Sequence, residues 1–196
     1  MFNDARALLL PLLILVGCTP GSHAPPSPGA ELNVVVRDLQ AGQVVNGVPC
    51  LTEESPQHHT HVHLQILFDG VDVPVPAGIG IGRPWNVDSS GFIATGACIA
   101  WLHTHDATGV VHIVTPEQKS FTLGQLFDLW GQPLGDSSAL GYNGSLLVFV
   151  NGQRTDGDPR AMNLTNFENI VLELGKPPEV PPPTLYDFTA PGLQDY

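Results

Sequence analysis

Positively charged residues are scarce in this chain of 196 residues. Seven Lys and Arg residues stand against 19 Asp and Glu residues, so the formal net charge is −12 with histidine neutral. A surface this acidic repels nucleic acid and anionic lipid, and it attracts metal cations. Lys119 lies alone in the middle of the chain, and the glycines do not have the spacing of a phosphate-binding loop. The sequence therefore predicts no nucleic-acid partner and does not favour nucleotide chemistry.

Methionine and cysteine are also few, with two Met and three Cys residues. The lack of thioethers argues against a Met-rich carrier of Cu(I). Cys50 and Cys98 form an even pair, which we predict to be a disulfide in a chain that leaves the reducing cytoplasm. The bridge closes a loop of about 48 residues, worth roughly 4 kcal/mol in the chain-entropy model. Two metal thiolates or two buried free thiols are the alternatives.

The amino-terminal 18 residues contain an apolar stretch that is too short to span a bilayer and is typical of an export signal. Its last four residues, LVGC at 15–18, resemble the bacterial lipobox, which implies lipidation of Cys18. Asp4 departs from the usual positive leader, and an ordinary secretory signal cut a few residues later is the alternative. We predict an exported lipoprotein, periplasmic or at the cell surface, anchored to the membrane by its lipid. The Pro-rich residues 19–30 form a flexible tether.

The remaining chain divides by composition into a single domain at 31–175 and a Pro-rich C-terminal tail at 176–196. In the domain, runs of alternating or β-branched residues bounded by turn signals predict strands. The predicted strands are 33–37, 59–68, 71–75, 97–105, 110–114, 146–150 and 170–174. One helix is predicted from Thr122, which caps its start, to Gly131, which ends it, with apolar residues at helical spacing between them. The expected fold class is mostly β, a β-rich α+β domain with one packed helix.

The element order strand, strand, helix, strand, strand over residues 110–175 resembles that of a β-grasp domain. The resemblance implies a fold and no particular function. A small β-sandwich with one helix is the alternative. The sequence HTHD at 103–106, placed ahead of the helix, also resembles a hairpin of exported proteins whose function is unassigned.

Histidine is the most informative residue type, because seven of the eight histidines lie within residues 57–63 and 101–112. Side chains alternate between the two faces of a strand. His59, His61 and His63 therefore point to one face of the first predicted histidine strand. The apolar residues that alternate with them point to the other face and predict its contact with the core.

The second histidine segment predicts a hairpin. If its turn is centred on the Ala-Thr pair before Gly109, His103 faces His112 and His105 faces Val110. Directly opposed Cβ atoms are about 4.5 to 5.5 Å apart, a spacing at which two imidazoles can share one metal ion. The same register gives the hairpin an apolar opposite face, which supports it independently.

We predict that a transition-metal ion binds within a cluster of candidate histidine ligands. These are His59, His61, His63, His103, His105 and His112. Imidazole ligands without thiolate suit Zn²⁺ as the first choice and Cu²⁺ as the second. Asp106 is a candidate general base or a residue that orients a ligand, and it is also the residue type expected at the start of a hairpin turn. Glu53, Glu54 and Glu117 are further candidate ligands, and residues 74–85 predict a compact apolar loop that borders the site.

Three functions fit such a cluster. An ion with an open coordination position can activate water in a zinc-dependent hydrolase or in a hydratase, such as one acting on carbon dioxide or another small-molecule substrate. The His-x-His pair completed from a neighbouring strand is the arrangement of cupins and α-type carbonic anhydrases, although the wider motifs of both families are missing. Surplus histidines favour the alternative, capture or delivery of zinc or copper. A closed site of four ligands would indicate a structural module that the metal only stabilises.

Overall fold

A computed structural model describes residues 32–176, 185–189 and 193. The predicted signal segment at 1–18 with Cys18, the tether at 19–30 and most of the tail at 176–196 lie outside these described residues. In the described part of the chain, no helix has the length and apolar character needed to cross a membrane.

The described residues form sixteen strands, one α-helix and one 3-10 helix. The first eight strands are β1 (Val44–Val45), β2 (Val48–Leu51), β3 (His58–Phe68), β4 (Val71–Val73), β5 (Ile81–Gly82), β6 (Asn86–Val87), β7 (Ile93–Thr95) and β8 (Cys98–Ala100). The others are β9 (Leu102–His103), β10 (Val110–Thr115), β11 (Leu134–Gly135), β12 (Ser138–Ala139), β13 (Tyr142–Asn143), β14 (Leu146–Val150), β15 (Gln153–Thr155) and β16 (Glu168–Leu174). The α-helix α1 spans Leu123–Trp130, and the 3-10 helix spans Pro159–Ala161.

The largest sheet has the order β15-β14-β16-β3-β10-β9, with β4 paired to the end of β3. Strand β3 is antiparallel to β10 on one side and parallel to β16 on the other. Smaller sheets join β1-β2-β8-β5, β11-β12-β13 and β6-β7. The predicted β-rich α+β fold with one helix is confirmed. The resemblance to a β-grasp domain stays a prediction.

Strand β3 separates an apolar face from a histidine face, as the alternation predicts. Val62, Leu64 and Ile66 are at most 1% exposed and belong to the main hydrophobic core. On the neighbouring strands, Val111 and Leu102 contribute to the same core. Because side chains alternate along a strand, burial of this face directs the histidines to the opposite face.

Helix α1 covers the apolar face of the sheet, and its predicted ends are confirmed. The Thr122 hydroxyl accepts from the backbone N–H of Gln125, and the Gln125 side chain accepts from the Thr122 N–H, which makes a capping box. Gly131 ends the helix with a positive φ of 83°, a conformation that glycine adopts without strain. Trp130, the last residue of the helix, is fully buried in the core.

Two predicted strands were wrong. Residues 33–37 form no strand, because their backbone groups make single hydrogen bonds to the end of α1 and to the region after it, and do not pair with a neighbouring strand. The Asn33 N–H donates to the Leu140 carbonyl, and the Arg37 N–H donates to the Trp130 carbonyl. The predicted strand 97–105 is broken at Trp101, where the chain leaves the sheet of β8 and enters that of β9.

The disulfide between Cys50 and Cys98 is present, with an S–S distance of 2.04 Å. It joins β2 to β8, which are neighbours in the four-stranded sheet. The prediction of a disulfide is therefore confirmed, and the two alternatives with free thiols or metal thiolates were wrong.

Candidate metal centre

Three histidines form a row across three neighbouring strands of the largest sheet. His112 of β10 lies opposite His61 of β3 on one side and opposite His103 of β9 on the other. Directly opposed residues of antiparallel strands share a face and have adjacent side chains. The predicted pair His103–His112 is confirmed. The predicted pair His105–Val110 was wrong, because β9 ends at His103 and its pairing with β10 does not reach His105.

Backbone carbonyls fix the rings of His103 and His105. Nδ1 of His103 lies 2.8 Å from the Ala100 carbonyl oxygen, and Nδ1 of His105 lies 2.6 Å from the Ile93 carbonyl oxygen. A carbonyl only accepts hydrogen bonds, so Nδ1 carries the proton in both rings. The Nε2 atom of each neutral ring is then a lone-pair donor, which is the form that binds a metal.

These two Nε2 atoms face each other at 3.0 Å. Two lone pairs at this distance repel each other unless a cation or a proton lies between them. Two nitrogens that share one ion through bonds of about 2.0 to 2.1 Å are about 2.9 to 3.4 Å apart, so the observed distance fits a shared metal ion. His112 completes a group whose nitrogens lie within 4.8 Å of one another. His103, His105 and His112 are called the first histidine group below.

Burial keeps His103 and His112 in the neutral form. Burial, together with repulsion from His105, lowers the pKa of His103 to about 3. Burial also lowers the pKa of His112 well below its usual range, and the neighbouring His103 and His105 add to the effect. Because His103 does not take up a proton at neutral pH, a metal ion explains the short distance between the Nε2 atoms of His103 and His105 better than a shared proton does.

Thr104 lies between His103 and His105 and fixes this segment. Its hydroxyl donates to the Pro76 carbonyl at 2.8 Å and accepts from the Ile79 N–H at 3.1 Å. Its backbone N–H donates to the Ile79 carbonyl, and its carbonyl accepts from the Gly78 N–H. The side chain is completely buried. Thr104 therefore attaches the segment of His103 and His105 to the loop of residues 74–85. This loop borders the site, as predicted.

Gly80 of the same loop lies directly behind His103. A Cβ at this position would be 2.1 Å from the Leu102 carbonyl oxygen and 3.1 Å from the Cα of His103. Its φ of 75° is also unfavourable for residues with a side chain. The backbone at residue 80 can therefore approach His103 this closely only because the residue is glycine.

A second histidine group lies on the β3 side of His112. It consists of His59, His61 and His112, whose ligand nitrogens lie within 4.8 Å of one another. Nε2 of His59 is 3.1 Å from Nδ1 of His112. The ring of His61 is 4.4 Å from that of His59 and 4.7 Å from that of His112, measured between centroids. His112 therefore belongs to both groups.

A cavity of about 270 Å³ opens over the histidines. Its polar and aromatic lining includes His59, His103, His105, His112, Glu54 and Phe92. Oε1 of Glu54 is 3.5 Å from Nε2 of His103, and burial raises the pKa of the Glu54 carboxyl above its usual range. Phe92 stacks on His105 with the ring centroids 4.5 Å apart. The site is thus partly open and has one carboxylate at its edge.

The structure does not bring His63 or Asp106 into either group. Nε2 of His63 bonds the Thr108 carbonyl at 3.0 Å, and its ring stacks on Tyr186 with centroids 4.3 Å apart. Oδ1 of Asp106 accepts from the backbone N–H and the hydroxyl of Thr108, which closes the turn. Of the three glutamates named from the sequence, Glu54 lines the cavity, and Glu117 pairs with Lys119.

Several residues of the site have no signal in the sequence. The carbonyls of Ala100 and Ile93 orient the two ligand rings, and backbone atoms act there independently of residue type. Phe92 reaches the site from the β6–β7 hairpin, which no pattern connects to the histidine segments. Comparison of the chain with models of protein families, with curated proteins and with solved structures found no match.

Proposed function

We propose that this protein binds a Zn²⁺ ion through His103, His105 and His112. The observation that supports the proposal most is the approach of the two Nε2 atoms of His103 and His105, whose protons are held on Nδ1 by carbonyls. In metal-binding histidines, the ring nitrogen that does not bind the metal usually donates a hydrogen bond of this kind. The neutral state of the buried rings supports the same conclusion.

Zinc is the first choice and Cu²⁺ the second. An all-imidazole site suits both ions, and Cu²⁺ binds nitrogen ligands more tightly at equal concentration. Three protein ligands with a remaining open position are the usual set for catalytic zinc. The cavity beside the first histidine group leaves room for such a position.

The chemistry that fits this site is attack of metal-activated water on a small electrophile, in a hydrolase or a hydratase. A bound zinc ion supplies a water with a pKa near 7. Glu54 lies at the edge of the cavity next to His103 and would be the general base of such a reaction. Phe92 and Val114 give the cavity an apolar part. Its volume of about 270 Å³ limits the substrate to a small molecule.

Metal capture or delivery is the second candidate function. It is favoured by the second histidine group, which offers more imidazoles than one catalytic ion needs. The acidic net charge of −12 would raise the local concentration of cations. A delivery protein would exchange its ion readily and would have no turnover with esters or carbon dioxide.

We also propose that the protein works outside the cytoplasm, anchored by a lipid on Cys18. The LVGC segment and the disulfide between Cys50 and Cys98 support this location, since disulfides persist in oxidising compartments. Fractionation of expressing cells tests the anchor. The chain is expected in the membrane fraction, and a Cys18→Ser variant is expected in the soluble fraction. Equal distribution of the two would refute lipidation.

Elemental analysis of the full chain, purified without added metal, tests the metal site. At least one equivalent of zinc is expected; His105→Gln should lower the content by one equivalent, and His63→Gln should leave it unchanged. The latter is a matched control, since His63 lies on the same sheet outside both groups. Copper in place of zinc would favour the second choice of metal. A chain that holds no metal and takes up neither ion on dialysis would overturn the proposal.

Catalysis is tested separately, by assays of carbon dioxide hydration and ester hydrolysis on the zinc-loaded protein. Glu54→Gln is expected to lower kcat by about 10² to 10⁴-fold, the usual range for loss of a general base. The zinc content of this variant is expected to be unchanged. A zinc-loaded protein without turnover in either assay, which releases zinc readily to a chelator, would favour capture or delivery.

A further inference from the structure

His112 is positioned to serve two metal ions. It lies in the middle strand of the histidine row, between His61 and His103. An imidazole has two ring nitrogens, and each can act as a ligand. One nitrogen, Nδ1, faces His59 at 3.1 Å. The same side chain is also a member of the first histidine group.

The second histidine group has the dimensions of a metal site. The separation of 3.1 Å between Nε2 of His59 and Nδ1 of His112 lies within the range of about 2.9 to 3.4 Å expected for two ligands of one ion. The ligand nitrogen of His61 lies within 4.8 Å of both. Three imidazoles are thus in reach of one position between β3 and β10.

The placement of His61 adds a second observation. Its side chain is completely buried, although it lies on the histidine face and not in the apolar core. Its ring is packed between those of His59 and His112. The three rings therefore present ring nitrogens to one common position, where a single cation can bind all three.

We infer that a second divalent transition-metal ion binds His59, His61 and His112, so that His112 joins two metal ions in one centre. The inference rests on the proposed function, because it treats the first histidine group as occupied. His59, His61, His103 and His105 would bind as neutral imidazoles, whereas His112 would release its remaining ring proton to solvent and bind both ions as an imidazolate. The acidic surface of the protein offsets the added positive charge. The second ion would make the centre dinuclear.

Zinc stoichiometry tests this inference. The full chain is freed of metal with a chelator, dialysed against Zn²⁺, and assayed for bound zinc per chain. Two equivalents are expected in the parent. One equivalent is expected in His59→Gln, which removes only the second group, and one in His105→Gln, which removes only the first. Loss of both is expected in His112→Gln. The matched control is His58→Gln, an exposed neighbour on β3, which should retain two.

The outcomes separate the two proposals. One equivalent in the parent, retained in His59→Gln and lost in His105→Gln, would overturn the second ion and leave the first site standing. One equivalent lost in His59→Gln and retained in His105→Gln would overturn the proposed function as well as the inference. Two equivalents that His59→Gln does not reduce would place the second ion elsewhere and also overturn the inference.

Thermal unfolding of each metal-free variant shows whether the variant is folded, so that loss of zinc is not confused with loss of structure. Should His59→Gln fail to unfold with a parent-like cooperative transition, the exchange His61→Gln removes the same group from a different position. Agreement of the two variants on one remaining equivalent supports the inference. Two retained equivalents in a folded His61→Gln would contradict it.

Discussion

The two histidine segments of the site are built in different ways. His59 and His61 lie on β3, a continuous strand of 11 residues, where alternation alone places them on one face. His103 and His105 lie where the chain leaves β9, and backbone groups from three other segments bond to these two rings and to Thr104 between them. The first arrangement is local, and the second depends on tertiary contacts. Changes to distant residues should therefore affect His103 and His105 more than His59 and His61.

Loss of the disulfide is expected to have the largest effect on the stability of the protein and on the position of His103. Replacing both Cys50 and Cys98 by alanine frees β8, whose Ala100 carbonyl orients His103. The unfolding free energy should fall by about 4 kcal/mol in the chain-entropy model. Denaturant unfolding of the metal-free protein measures this loss. Zinc binding at the first histidine group should weaken, while an unchanged affinity there would show that β8 does not position His103.

A smaller effect is expected from Thr104→Val, which keeps the shape of the side chain and removes its hydroxyl. The Pro76 carbonyl and the Ile79 N–H each lose a buried partner, at a combined cost of about 2 to 4 kcal/mol. Denaturant unfolding measures the change, and the Thr104→Ser variant, which keeps both bonds, is the control. Equal stability of the two variants would show that the Thr104 hydroxyl does not stabilise this segment.

Acid should destabilise the metal-free protein through the buried histidines. The pKa of His103 is about 3 in the folded state against about 6.5 in the unfolded chain. The unfolded state therefore binds more protons below pH 6.5, so stability is lost as the pH falls from about 6.5 toward 3. Between pH 7.5 and 5, His103 alone accounts for about 2 kcal/mol. Thermal unfolding at several pH values measures this, and His103→Gln should show a smaller decrease than the parent.

The smallest effect is expected from His63→Gln. His63 shares β3 with His59 and His61, yet it contacts Tyr186 and the turn at Thr108 instead of the other histidines. Loss of the stacking contact should cost about 0.5 to 1.5 kcal/mol, with no change in bound zinc. Denaturant unfolding and elemental analysis on the same sample check both parts. Loss of zinc in this variant would show that the histidine groups extend farther along β3.

The sequence was sufficient for the parts of the fold that depend on local periodicity. The alternation in β3, the caps of α1 at Thr122 and Gly131, and the pair His103–His112 follow from residue types at regular spacing. Each of these has a strong physical preference, namely burial of one apolar face or an unstrained cap. They were therefore predictable without knowledge of the rest of the chain.

The remaining features depend on which segments meet in space. The Val-rich residues 33–37 have the composition of a strand, but their backbone partners are Trp130 at the end of α1 and Leu140 beyond it. The strand predicted at 97–105 changes sheets at Trp101, because Cys98 is fixed to β2. Selecting Glu54 over its neighbours as the carboxylate of the cavity also needs the tertiary structure. Spacing along the sequence carries none of this information.

The disulfide has a consequence for the order in which the centre matures. Cys98 opens the strand that ends at Ala100, and Ala100 fixes the proton of His103 on Nδ1. Where Cys50 and Cys98 are still reduced, β8 is less constrained and the first histidine group is less complete. Loading of the proposed metal site should then follow oxidation of the two cysteines. Thiol chemistry would in this way control when the proposed site acquires its ion.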